Sequence, residues 1–150
     1  MLLFIILVLV SCQTLDPLEV QDYTTVSWLN GRWANKRNGQ YENWVSAPDG
    51  RIEHVIFVPE DGEQVTLSKR KIMRSGKNIV LLNTVYHDTQ SEVNHLLLTR
   101  SGEGYCLFEN SGHDGIKSIG FRKIDSMRTE VQTYYFKSDS PQINYLERLN

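Results

Sequence analysis

In several runs of the chain, apolar and polar residues alternate with a period of two, the spacing of a strand with one face buried. Met127, Thr129, Val131, Thr133 and Tyr135 share one face, while Arg128, Glu130 and Gln132 share the other. Ile52, His54, Ile56 and Val58 oppose Arg51 and Glu53 in the same way. No segment sustains the 3.6-residue period of an amphipathic helix. Turn-forming groups punctuate the runs: Asn38-Gly39, Pro48-Asp49-Gly50, Glu60-Asp61-Gly62, Ser75-Gly76 and Ser101-Gly102. The pattern predicts strands over 26–34, 40–47, 51–58, 64–74, 78–86, 92–100, 104–109, 116–124, 127–136 and 142–149. Ten strands at about ten-residue spacing with tight connections predict an all-β fold, an antiparallel meander closed into a barrel or folded into a sandwich, of which the roughly ten-stranded barrel is favoured. Closure removes the exposed edges that invite aggregation. A barrel of this size has an interior that can hold one small ligand.

The N-terminus follows different rules. Leu2 to Val10 is an unbroken apolar run of nine residues, too short to span a bilayer, which takes about 20, but the length of a signal-peptide core. The following Leu9-Val10-Ser11-Cys12 resembles the bacterial lipobox, although no Lys or Arg precedes the apolar run. That resemblance implies cleavage before Cys12, with lipid on its sulfur and an acyl chain such as palmitate on its new amine. The expected organisation is a signal peptide over 1–11, a tether over 12–25 from acylated Cys12, and a barrel domain over 26–150. Several acyl chains together anchor stably where one is marginal. The expected setting is therefore the cell envelope, with the bilayer as a partner through Cys12. Gln13 after the cysteine points, by the enterobacterial sorting pattern, to the outer membrane.

Composition narrows the possibilities further. Sixteen basic against eighteen acidic residues leave a net charge of −2, with no basic field for nucleic acid. Seven Tyr, five Phe and three Trp favour strands. The second cysteine, Cys106, lies in the apolar run Tyr105-Cys106-Leu107-Phe108 and reads as a small core residue.

Two segments carry a resemblance. Trp28-Leu29-Asn30-Gly31-Arg32-Trp33 contains a Gly-x-Trp that resembles the opening signature of lipocalins. In those barrels the tryptophan closes one end and an arginine of the last strand packs over it, which makes Gly31, Trp33 and Arg148 the structural signature here. Phe108-Glu109-Asn110-Ser111-Gly112-His113-Asp114 resembles the Phe-Glu-Asn-Pro-x-His-Asp stretch of a bacterial lipocalin-like family of unknown function, as do the opening and Glu42-Asn43-Trp44. The likeness covers residues 28 to 124. Ser111 stands where that family has proline, and Gly115-Ile116 where it has Phe-Pro. The resemblance implies a lipocalin-like barrel in a cell-envelope setting and supplies no reaction.

Candidate chemistry gathers in loops. Glu109, Asn110, His113 and Asp114 lie in a polar connection longer than a hairpin requires, and His87-Asp88 occupies an earlier turn. If every connection is a hairpin, alternate loops share one mouth, so both His-Asp pairs reach the same rim about 10 Å apart at their strand ends. An Asp beside a His can orient an imidazole, but Asn110, Asp114 and Asp88 equally suit turn capping. Neither His-x₃-His nor Cys-x₂-Cys occurs, so no metal site is expected. With no histidine after His113 and no Gly-rich phosphate loop, no cofactor is expected. Glu42 and Trp44, two apart, face the same way and suit a lumen as well as a packed core; His54 and His95 read as structural. The leading expectation is a tethered, non-enzymatic barrel that binds a small, largely apolar ligand, lined by Trp44, Phe57, Tyr105 or Cys106, and Phe121. A filled barrel serving as a structural or interaction lipoprotein is the alternative. An enzyme using His113 and Asp114 comes third.

Overall fold

A computed structural model describes residues 25–87 and 90–150. The expected signal peptide, Cys12, nearly all of the expected tether, and Asp88 lie outside the described residues. The barrel domain is a closed, ten-stranded antiparallel barrel in which each strand pairs with its neighbours in sequence and β1 pairs with β10. The strands are β1 (Gly31–Asn35), β2 (Gln40–Ser46), β3 (Ile52–Glu60), β4 (Glu63–Ser75), β5 (Asn78–Tyr86), β6 (Ser91–Gly102), β7 (Tyr105–Glu109), β8 (Ile116–Lys123), β9 (Arg128–Tyr135) and β10 (Gln142–Arg148). Trp33 opposite Arg148 and Ala34 opposite Glu147 close the ring.

The tight turns follow their sequence. Asp61 (φ 49°) and Gly62 (φ 84°) both take the left-handed conformation between β3 and β4, the two-residue geometry whose twist matches the flanking strands. The first predicted strand starts too early. Val26 to Leu29 instead turns into a short 3-10 helix, Ser27–Leu29, with Leu29 N bonded to Val26 O at 3.1 Å and Asn30 N to Ser27 O at 3.0 Å. Val26 and Leu29 are thereby buried as an end plug, which a strand, sending alternate residues to solvent, could not achieve.

That plug divides the barrel into two ends. At the plugged end, Trp33 Nε1 donates to Leu29 O at 2.8 Å, and Arg148 Cζ sits 4.3 Å from the Trp33 ring centre. Arg148 Nη1 and Nη2 donate to Asn30 O (2.9 Å) and Trp28 O (3.1 Å). Gly31 makes this closeness possible: at φ 132° a Cβ there would lie 2.7 Å from Arg148 Nη1. Beyond the plug, Trp33, Trp44, Ile52, Ile72, Phe108 and Phe121 belong to one continuous apolar cluster. The opposite end is the mouth, rimmed by the β1–β2, β3–β4, β5–β6, β7–β8 and β9–β10 connections, as strict up-and-down pairing requires.

Two residues expected in the lumen lie outside it. Phe57 has the opposite parity to inward Ile56, pairs with Tyr41 across β2, and stacks on that ring at 5.7 Å. Tyr105, one place from buried Cys106, faces outward for the same reason. Trp44, Cys106 and Phe121 are buried within the barrel. Burial pushes the Cys106 thiol up to about 12, so it stays protonated and unreactive.

Candidate functional site

The inward face is not uniformly apolar. Antiparallel register joins Trp44 of β2 to His54 of β3, His54 to Arg70 of β4, Arg70 to Asn83 of β5, and Asn83 to Asn94 of β6. These five positions form one cross-strand row. Strand tilt carries it from near the plug to the rim, where Asn94 Oδ1 accepts from the Ile116 amide at the start of β8 at 3.4 Å. A polar stripe therefore winds through the barrel interior.

Glu42 anchors the deep end of that stripe. Its Oε2 accepts a hydrogen bond from Trp44 Nε1 at 3.2 Å and lies 2.8 Å from His54 Nε2. The imidazole lies flat against Trp44, ring centres 3.7 Å apart and planes inclined by 14°. Neither ring nitrogen meets a partner with good hydrogen-bonding geometry. Burial pushes His54 down to about 4; Glu42 opposes the shift and Arg70 adds to it. For Glu42, burial raises the pKa, but His54, Arg70 and Trp44 together outweigh it and hold the carboxyl below its ordinary range. At neutral pH the site holds a carboxylate, a neutral imidazole and a guanidinium.

Arg70 is only partly satisfied. Its Nε donates to Asn83 Oδ1 at 2.9 Å, an oxygen that also accepts from Ser68 Oγ at 3.3 Å. Its Nη1 is sealed from solvent with no acceptor. Phe121 offers its ring 5.8 Å from Cζ. Among the described residues no carboxylate lies within ion-pair distance of Arg70. Burial lowers its pKa and Glu42 counteracts, although the side chain as a whole keeps some exposure.

That exposure opens into a cavity. A space of about 210 Å³ lies on the mouth side of the aromatic floor, bordered by Glu42, Ser68, Arg70, Asn83, Thr133 and Tyr135 among others. Trp44 meets Phe121 edge-on at 5.4 Å, and Phe108 meets Phe121 at 6.3 Å, so the space below is solid.

The loop residues behave differently. Asn110 Oδ1 accepts from the Gly112 amide at 2.8 Å, and its Nδ2 donates to Ile116 O at 3.0 Å, which fixes the β7–β8 connection. Glu109 bonds the Thr99 hydroxyl on β6. His113 and Asp114 are exposed; His113 rests near Phe136 at 6.5 Å, and Asp114 is 3.7 Å from Lys137. No hydrogen bond joins His113 to Asp114. His87 is exposed at the rim. Among the described residues, no group of three His, Cys, Asp or Glu side chains is placed to hold a metal ion.

Of the sequence-derived candidates, Glu42 and Trp44 are in the lumen together and the loop residues are at the rim. His54, Arg70 and Asn83 complete the lumen group and were not singled out for it. Their signal was present: each is a polar residue on the buried parity of its strand. Comparison with protein-family models, curated proteins and solved structures finds no match.

Proposed function

We propose that this barrel is a binding module that takes one small ligand into the mouth half of its lumen. The observation that carries this reading is the 210 Å³ cavity bordered by Glu42, Arg70 and Asn83 above an aromatic floor. Polar groups on the inward face of a barrel cost stability unless something satisfies them, and a few convergent polar groups in an otherwise apolar concavity mark ligand sites. The lining is more polar than a wholly apolar occupant needs, so the proposed ligand has an apolar body and a polar end. The exposed, separate positions of His113 and Asp114 favour binding over catalysis.

The setting proposed is the cell envelope, with the barrel tethered through acylated Cys12. The described chain enters at the plugged end, through the 3-10 helix Ser27–Leu29. A leash attached there holds the plug toward the bilayer and turns the mouth to the aqueous side. Labelled palmitate should enter the wild-type chain and not Cys12→Ser.

The size of the cavity also favours a second reading, a barrel filled for structural purposes, since ligand pockets are generally about 300 Å³ or larger. Native mass spectrometry of the full chain separates the two. A small molecule that co-purifies with wild type and is missing from Ser68→Phe, which fills the cavity, supports binding. A chain that carries nothing, with Ser68→Phe as stable as wild type or more so, supports the filled barrel and rejects the ligand.

A further inference from the structure

We infer that the lumen ligand carries a single negatively charged oxo group, a carboxylate, which docks on the Arg70 guanidinium. This inference rests on the lumen reading and adds the chemical class of the occupant.

Three observations point the same way. A guanidinium has five N–H donors in a planar fork, yet only Nε–H of Arg70 is engaged, and by a neutral amide oxygen. Glu42, the acid nearest in effect, accepts from Trp44 Nε1 and lies 2.8 Å from His54 Nε2, out of ion-pair reach of Arg70. The guanidinium feels Glu42 only across a distance and keeps its Nη1 sealed without an acceptor, and a buried donor left unsatisfied is costly. Its position beside an open volume, not a packed wall, lets a ligand supply what the protein withholds.

The same surroundings limit the ligand's charge and size. Glu42 borders the cavity, so a second negative charge on the ligand would meet a carboxylate in a poorly screened interior. A monoanion fits where a dianion does not. At roughly 30 Å³ for each water-sized group, 210 Å³ admits about seven such groups, the size of a short-chain carboxylate. The Asn83 side-chain amide borders the cavity and can donate to the carboxylate, while Ile116 and Val131 lie beside its short chain. Arginine suits the task because its fork matches the two oxygens of a carboxylate.

The test uses the full chain and four probes of equal chain length: pentanoate, pentanol, pentylamine and pentyl phosphate. Binding is followed by calorimetry and by the amide shifts of Glu42, Arg70 and Asn83. Pentanoate should bind at least roughly tenfold more tightly than the other three, the range expected when a charged hydrogen bond is added. Arg70→Met should abolish that preference, and Arg70→Lys should retain part of it. Arg70→Met replaces a charge that lacks a direct partner, so its fold should survive; if it does not, Arg70→Lys carries the comparison. Equal binding of pentanol and pentanoate, unaltered by Arg70→Met, overturns the carboxylate while leaving a lumen site. Preference for pentyl phosphate likewise overturns it in favour of a phosphate ester. Pentanoate binding that persists in Ser68→Phe places the site outside the lumen and removes the underlying reading as well. Failure of every probe to bind wild type does the same.

Discussion

Lowering the pH from 7 to 5 should destabilise this barrel through His54. The imidazole is 1% exposed, stacked on Trp44, and faced by Glu42 from β2 and Arg70 from β4. Burial outweighs the attraction of Glu42, so the folded-state pKa falls from 6.5 to about 4. Between those values the unfolded chain binds a proton that the folded chain refuses. Stability therefore drops as pH falls through this window and levels off below it. A gap of about 2.5 pH units, at roughly 1.36 kcal/mol each, gives a full loss of about 3 kcal/mol. About 2 kcal/mol of it accrues between pH 7 and 5, which corresponds to roughly 5–10 °C in Tm for a domain of this size. The depressed Glu42 pKa contributes stability that is lost only below about 4.5, so the upper part of the window belongs to the histidine.

Urea titrations at half-unit pH steps measure the slope, and NMR of the His54 ring measures its midpoint. His54→Phe keeps a ring against Trp44 and should flatten the profile between pH 7 and 5. A midpoint near or above 6.5 would show that the Glu42 carboxylate, 2.8 Å away, overcomes burial and forms an ion pair. The site would then be a charged triad at neutral pH, and a neutral buried imidazole beside Glu42 would be refuted.

Other outcomes follow from the plug and the rim. Arg148→Leu removes a cation–π contact and two hydrogen bonds to backbone carbonyls, and should cost about 2–4 kcal/mol by denaturant unfolding. Gly31→Ala forces a Cβ against Arg148 at a φ that alanine resists, and should cost about 1–3 kcal/mol in the same assay. His113→Ala, exposed at the rim, should change stability by no more than about 0.5 kcal/mol and leave pentanoate affinity unchanged in the same calorimetric assay.

The architecture was legible because a meander needs only local information. β5 runs over Asn78–Tyr86, the boundaries its alternation predicts, and β2 and β10 each end one residue earlier than predicted. Where the period was absent, the reading failed: Val26, Trp28 and Leu29 are apolar without alternation, and they form the 3-10 plug. Glu42 and Trp44 could be paired because two residues apart on one strand always face the same way. Arg70 and Asn83 could not be joined to them so easily. Their meeting depends on the register of three successive hairpins, and β3 and β4 shift register at Ile56/Phe57. A one-residue error at any of these steps would send the arginine to solvent. The loop histidines are candidates in the sequence because clustered polar residues in a connection resemble a site. Asn110 shows how much of that cluster instead closes the turn.

The two ends of the barrel divide the energetic work, and this division explains how a polar lumen is tolerated. Toward the plug, Trp33, Trp44, Phe108 and Phe121 are each at most 2% exposed; burying an aromatic of this size contributes roughly 2–3 kcal/mol. Hydrogen bonds from Arg148 and Trp33 tie the end shut. That packing, with β1–β10 closure, can stabilise the fold without help from the mouth half. The stripe of His54, Arg70 and Asn83 can then carry the destabilising features a site requires: a neutral buried imidazole and a guanidinium short of acceptors. Were the stripe structural, replacing Arg70 with an apolar residue would loosen the barrel; were it a site, the barrel would hold and the ligand would leave. The two roles differ in which half of the molecule responds.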